Sequence, residues 1–385
     1  MLVIDSDGHL HEPFYLFDRY MEKEFFSMRP RVIGLLDDPR EEGRWFAEGK
    51  IVPRLPFTKG VGGGGFKYQT PRHKEMKAKD LTLDDIEGRL QDMEQLGVDY
   101  QIAYPTALAW VFDLENKELA AAVCRAYNNY VAEQCSKASK RLGGVALVPI
   151  QDPPAAVSEA TRAVKKLGLV AVTIPGLVGN KPIHSPEFLP FFRAMNDLDV
   201  PIGFHAFTGM NYTPWADCFD DFFSTHITAM PFSMMVAMMS VARMGLLKNL
   251  PNLRCAFLEV GASWILYWAW WVGRHIEHTV GLRADGRNEA GVWGRQPYEL
   301  PETVHEPLED IREGRMTSGF EVDEDLRLLI DKLGTKTLMY ASDYPHGDME
   351  WGRVQAVQAN QNLTQEEKAA LLGGNAMRFH KLTFE

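Results

Sequence analysis

Short, almost unbroken apolar runs recur along the chain, separated by stretches of helical periodicity. The runs are residues 2–4, 100–104, 144–149, 169–174, 200–204, 254–258 and 337–341. Runs without polar alternation are strands buried on both faces, as in a parallel sheet. Amphipathic helices are predicted over 84–96, 118–140, 154–167, 188–198, 232–247 and 323–333, and an eighth strand fits at 315–320. Strand–helix alternation makes either a barrel or a doubly wound sheet. No GxGxxG follows any of these strands and no GxxxxGK[ST] occurs anywhere, so the nucleotide-binding sheet loses its signature. The expected fold is therefore α/β, a (β/α)8 TIM barrel.

The 385 residues exceed the roughly 250 such a barrel needs. The expected organisation is one domain, 1–385, with three additions. These are a long lid-like loop after strand one (40–82), an insertion before strand seven (281–310) and a helical tail (360–385). The loop holds Gly62–Gly65, read as flexible, and the aromatics Trp45, Phe46, Phe57, Phe66 and Tyr68, which could line an apolar pocket. The tail holds a capping box, Thr364-Gln365-Glu366-Glu367.

A formal charge of −11 without a basic run argues against nucleic acid. Cys124, Cys135, Cys218 and Cys255 form no CxxC, so neither a disulfide framework nor a zinc ribbon is expected. The N-terminal residues lack the pattern of a signal peptide, and no uninterrupted apolar run approaches a membrane span; the nearest is the tryptophan-rich 262–272. The expectation is a soluble cytoplasmic protein that acts on a small molecule, without membrane contact, as a homo-oligomer, a dimer.

The first strand ends in Asp5-Ser6-Asp7-Gly8-His9-Leu10-His11-Glu12-Pro13. Alternate strand residues face one side, so Asp7 and His9 point together, and His11 joins them if the strand runs on. Carboxylates and imidazoles converging at a strand end suit a divalent metal. His205 ends strand five, and Asp343 ends strand eight with His346 three residues on. Three strand ends thus offer ligands to one rim. Glu259 follows an apolar strand, where an unpaired carboxylate is costly. It is a candidate ligand, a general base, or a group that holds a histidine. His226 could reach the rim as a substrate contact, and Glu321 is a weaker candidate of the same kind.

Asp7-x-His9-x-x-Glu12-Pro13, Tyr104-Pro105-Thr106, His205, Phe257-Leu258-Glu259-x-Gly261-x-x-Trp264, Ser342-Asp343-Tyr344-Pro345-His346 and Gly374-Asn375-Ala376 together resemble the amidohydrolase superfamily. More narrowly they resemble its amidohydrolase-related branch, home of aminocarboxymuconate-semialdehyde and γ-resorcylate decarboxylases. The resemblance implies a metal at the C-terminal rim held by Asp7, His9, His205 and Asp343. Asp7 stands where other members have the first histidine of HxH. Glu259 stands where the family decarboxylases have a catalytic histidine. That leaves Asp7, Glu12, Glu259 and Asp343 beside His9, His205 and His346, a set that could hold two ions. The expected metal residues are Asp7, His9, Glu12, His205, Asp343 and His346, and the expected catalytic residues are Asp343, Glu259 and His226.

Two functions follow. One is hydrolysis by metal-activated water, zinc being the expected ion, or metal-assisted nonoxidative decarboxylation of a small carbonyl or carboxylate compound. The other is a dinuclear iron or iron–manganese oxygenase, which hard carboxylate ligands would suit.

Overall fold

The computed structural model describes residues 1–33, 44–52, 81–179, 181–205, 218–219, 221–284, 306–346 and 349–384. Eight parallel strands follow chain order: β1 (Ile4–Leu10), β2 (Tyr100–Pro105), β3 (Leu142–Leu147), β4 (Ala171–Ile174), β5 (Ile202–Phe204), β6 (Cys255–Phe257), β7 (Met316–Phe320) and β8 (Leu338–Tyr340). Each pairs with the next in sequence. Hydrogen bonds between β1 and the segment at and just after β8 close the ring. Ser6 Oγ donates to the Tyr340 carbonyl (2.6 Å), the Asp343 N–H to Asp7 O (2.9 Å) and the His9 N–H to Tyr344 O (2.7 Å). The (β/α)8 barrel expected from the apolar runs is what the chain forms.

β1 extends six residues beyond the apolar run that announced it. Its polar residues Asp5, Ser6, Asp7 and His9 are wholly buried, and partners inside the fold satisfy Asp5, Ser6 and His9, so hydropathy alone ends the strand too soon. Asp5 pairs with Gln101 and Gly8 with Ala103, three residues against two. This bulge re-aims the strand's end. A Cβ at Gly8 would lie 2.5 Å from the Gln101 side chain, so the close approach demands glycine.

The α-helices of eight or more residues among the described residues are α1 (Ile86–Leu96), α2 (Lys117–Ser136), α3 (Pro153–Leu167), α4 (Leu189–Leu198), α5 (Phe222–Met244), α6 (Ser263–Ala284) and α7 (Leu326–Leu333). Asp85, Asn116, Asp152, Asp221 and Asp325 each accept an N-terminal backbone N–H, satisfying donors that a helix start leaves unpaired. α5 starts ten residues before the expected 232 because Asp221 caps it and Pro231 is accommodated inside it. Among the described residues, Phe223–Met244 is the one helix long and apolar enough to cross a membrane by length and composition. It lays Met234, Ala237, Met238 and Val241 into the barrel's core.

The loop after β1 is less irregular than expected. Arg31–Ile33, Arg44–Ala47 and Lys50–Val52 form a small antiparallel sheet. Trp45 is core rather than pocket, its ring 5.2 Å from Phe17 and 6.1 Å from Trp110, while Phe46 is exposed. Phe57, Phe66, Tyr68, Gly62–Gly65 and most of 281–310 lie outside the described residues. Cys124, Cys135 and Cys255 carry free thiols.

The capping box at Thr364 and Glu367 forms as expected. The tail seals the end of the barrel where the strands begin. Asn375 Nδ2 donates to Thr335 O and Leu338 O (both 2.7 Å), and a Cβ at Gly373 would meet the Leu2 carbonyl at 2.1 Å. His380 is buried in this seal, and burial, helped by the Arg254 charge, pushes its imidazole down to about 3. The unfolded chain protonates this histidine near its ordinary value while the folded one does not, so its contribution to stability is present above that value and is lost as the pH falls. Replacing His380 with Phe should therefore remove about 2 kcal/mol of the stability lost between pH 7 and pH 5, measured by urea unfolding at the two pH values. An unchanged pH dependence would show that the imidazole already charges in the folded state.

Candidate metal centre

The C-terminal ends of β1, β5, β6 and β8 bring Asp7, His9, His205, Glu259 and Asp343 together. His9 Nε2 lies 3.2 Å from His205 Nε2, 3.2 Å from Asp343 Oδ1, and 3.6 Å from both Asp7 Oδ1 and Glu259 Oε2. His205 Nε2 lies 3.1 Å from Glu259 Oε2 and 3.6 Å from Asp7 Oδ1. Ligand-type atoms of Asp7, His9, His205 and Glu259 lie within 4.8 Å of one another, as do those of His9, Glu259, Asp343 and His346. Buried Asp7 Oδ1 and Asp343 Oδ2 take no hydrogen bond from the described residues. Buried carboxylates are normally paired or bound to metal, so this donor set suits a divalent cation.

Local structure fixes the aim of these side chains. The His9 Nδ1–H donates to the Pro105 carbonyl (3.2 Å), which turns Nε2 toward the cluster. Glu259 (φ 76°) and Asp343 (φ 54°) both sit in the left-handed region. Such strain in non-glycine residues persists only where the surroundings impose it. Burial alone would lower both imidazoles. Hydrogen bonding to Asp343 and Glu259 outweighs it and lifts His9 to about 9, and the charges of Glu259 and Asp7 lift His205 to about 10.

The other expected residues take different places. Glu12 stands outside the converging set, its carboxylate accepting the N–H groups of Thr106 (3.0 Å) and Ala107 (2.9 Å). Burial raises it to about 7 against those bonds. His346 braces Asp343, with Nδ1 2.6 Å from Asp343 Oδ1 and Nε2 3.0 Å from Thr106 Oγ1. The buried His11 ring lies 5.8 Å from that of His346. His226 is in the second turn of α5, half-buried, and is not part of the converging set.

A cavity of about 470 Å³ opens beside the cluster, walled by Asp7, Glu259, Asp343, Glu321 and Arg353 among others. Arg353 donates to Glu321 Oε2 (2.7 Å) and to the Ala341 carbonyl (3.3 Å). Sequence reasoning missed it, since nothing near it in the chain marks a site. It also missed Arg89, which is buried on α1. The Arg89 guanidinium donates to Gln101 Oε1 (2.9 Å) and His9 O (2.8 Å) and lies 4.6 Å from the Tyr344 ring centroid. Here a signal existed: an arginine on the same helical stripe as Met93 and Leu96.

The family model for amidohydrolases matches residues 4–382. The chain is similar to 2-amino-3-carboxymuconate-6-semialdehyde decarboxylase of Dictyostelium discoideum, 25% identical over 301 residues, covering 77% of this chain and 76% of that protein. It is also similar to gamma-resorcylate decarboxylase of Rhodococcus jostii, 32% identical over 146 residues. That match covers 36% of this chain and 44% of the relative, so it spans less than half of the relative's length. A solved structure of 5-carboxyvanillate decarboxylase from Novosphingobium aromaticivorans, with bound manganese and 3-methoxy-4-hydroxy-5-nitrobenzoic acid, matches with a TM-score of 0.69. The identity is 19% over 99% of this chain and 97% of that one, a likeness of fold.

With His9 and His205 holding protons through neutral pH, a cation must displace those protons to bind. Manganese affinity should rise at least about tenfold from pH 6 to pH 8, with proton release seen by titration calorimetry in two buffers of different ionisation heat. A flat profile would remove these imidazoles from the site.

Proposed function

The chain belongs to the amidohydrolase family, and on that footing we propose a metal-dependent lyase that releases carbon dioxide, without oxidation, from a small organic acid, an aromatic hydroxy acid being the favoured class. The observation that carries this is the buried meeting of Asp7, His9, His205 and Glu259 beside Asp343. We read the chain as one barrel domain that carries 40–82, 281–310 and 360–385 as additions.

His9 and His205 would hold the ion through Nε2, and Asp7 and Glu259 through carboxylate oxygens. The two overlapping donor groups share His9 and Glu259. An imidazole nitrogen has one lone pair, so we assign them to a single ion. The excess of carboxylate favours manganese or iron over zinc. When bound, such an ion supplies Lewis acidity, polarising a substrate oxygen and stabilising developing charge.

Decarboxylation breaks the bond between the carboxylate and its carbon. The electron pair left on that carbon takes a proton, and carbon dioxide departs. Asp343, on the cavity wall, is the group we assign to deliver the proton. His346 orients it through Oδ1, and Thr106 in turn fixes His346. Glu12 secures the backbone that carries Thr106. His226 stays in the proposal as a substrate contact.

Hydrolysis is the second reading, favoured by Glu259, a carboxylate able to take a proton from water where the family decarboxylases place a histidine. The dinuclear oxygenase drops out: none of the relatives named above is an oxygenase.

Manganese-loaded protein should release carbon dioxide from one or more of a panel of hydroxybenzoates that includes 2,6-dihydroxybenzoate and 5-carboxyvanillate. In deuterium oxide the product should carry one deuterium at the carbon that lost the carboxylate. Asp343→Asn should cut kcat about 10³-fold while keeping one ion per chain. Near-normal turnover would remove Asp343 from this role, and cleavage of esters or lactones with no carbon dioxide from any acid would favour hydrolysis.

A further inference from the structure

We infer that Glu324, on the loop after β7, is a positioning residue for the metal centre, setting the backbone that presents Glu259. Its carboxylate accepts from the N–H of Ala262 (3.0 and 3.1 Å), from that of Ser263 (2.6 Å) and from that of Glu321 (2.8 Å). The first two are donors at the start of α6, which a carboxylate satisfies both by hydrogen bonding and against the helix dipole. The third belongs to Glu324's own loop. One side chain therefore ties the loop after β6 to the loop after β7.

The stretch between β6 and α6 is held from both sides. The Leu258 N–H donates to Phe204 O (3.0 Å) on β5. Ser318 Oγ lies 2.6 Å from Phe257 O and 2.8 Å from Gly261 O, and Trp264 Nε1 donates to Gly261 O (3.1 Å). Gly261 is left-handed (φ 64°), and a Cβ there would come within 3.1 Å of Glu324 Oε1. Between these ties stands Glu259 at φ 76°, a conformation that costs energy in a non-glycine residue and needs such bracing. Without Glu324 the loop can relax, and the Glu259 carboxylate swings from the imidazoles it now faces.

The inference rests on Glu259 being a metal ligand, and the test separates the two. Manganese affinity of the full chain is measured by titration for Glu324→Ala, Glu324→Gln, Glu259→Gln and the double variant Glu259→Gln/Glu324→Ala, with unfolding midpoints alongside. Glu324→Ala should bind at least about tenfold more weakly. Glu324→Gln, whose amide oxygen still accepts an N–H, should recover most of that loss. The double variant should bind no more weakly than Glu259→Gln, the coupling expected of neighbours acting through one group. If Glu324→Ala lowers only the midpoint, or the two losses multiply, Glu324 is a helix cap and nothing more. If Glu259→Gln leaves affinity unchanged, the ligand assignment fails and this inference with it. Should Glu324→Ala fail to fold, Ser318→Ala carries the test: weaker binding supports the bracing and unchanged binding overturns it.

Discussion

Asp5 is the knot of this barrel. Its buried carboxylate accepts from the Ser342 N–H (2.9 Å), the Ser342 hydroxyl (2.5 Å) and Gln101 Nε2 (2.7 Å), so one side chain joins β1, β2 and the end of β8. Burial raises its pKa even against these bonds, a sign of how far it is removed from water. The neighbours in sequence inherit the placement. Ser342 precedes Asp343, and Asp5 lies two residues before Asp7. This contact, one of those between β1 and the end of β8, therefore also bears on the placing of two carboxylates that line the cavity, Asp7 and Asp343.

Around that knot the protein concentrates charge where water is scarce. Isolated carboxylates and imidazoles at this depth would each cost several kcal/mol. Here each group is another's counterion, and the barrel's rigidity keeps them from separating. Arg89 extends the logic away from the cavity by taking the His9 carbonyl and the Gln101 side chain together. The surrounding bonds are thus spent on holding ligands at short range.

What could be read from the sequence follows from chemistry local to one strand. Asp7, His9, His205, Glu259 and Asp343 were legible because each ends or shortly follows an apolar run, and strand direction is enough to put them on one rim. The order of all eight strands was legible for the same reason. The true length of β1 was not, since Asp5, Ser6 and His9 find their partners far along the chain. Glu12 lies close to these residues in sequence, but the backbone N–H groups of 106 and 107 that its carboxylate accepts are about 94 positions away and leave no local pattern. Arg353 and Glu324 act through contacts between loops, and such contacts leave no pattern in either loop alone. Trp45 was ambiguous because an aromatic in a long loop reads the same whether it lines a cavity or fills the core.

The seam between β1 and β8 has a consequence for how the molecule is made. Asp5 and Ser342 are separated by 337 positions, and a chain grows from its N-terminus, folding in part as it emerges. Until Ser342 and Asp343 appear, β1 has an unpaired edge and Asp7, His9 and His205 lack the partner that closes the ring. A nascent chain thus carries an open sheet edge and an incomplete cluster of imidazoles and carboxylates.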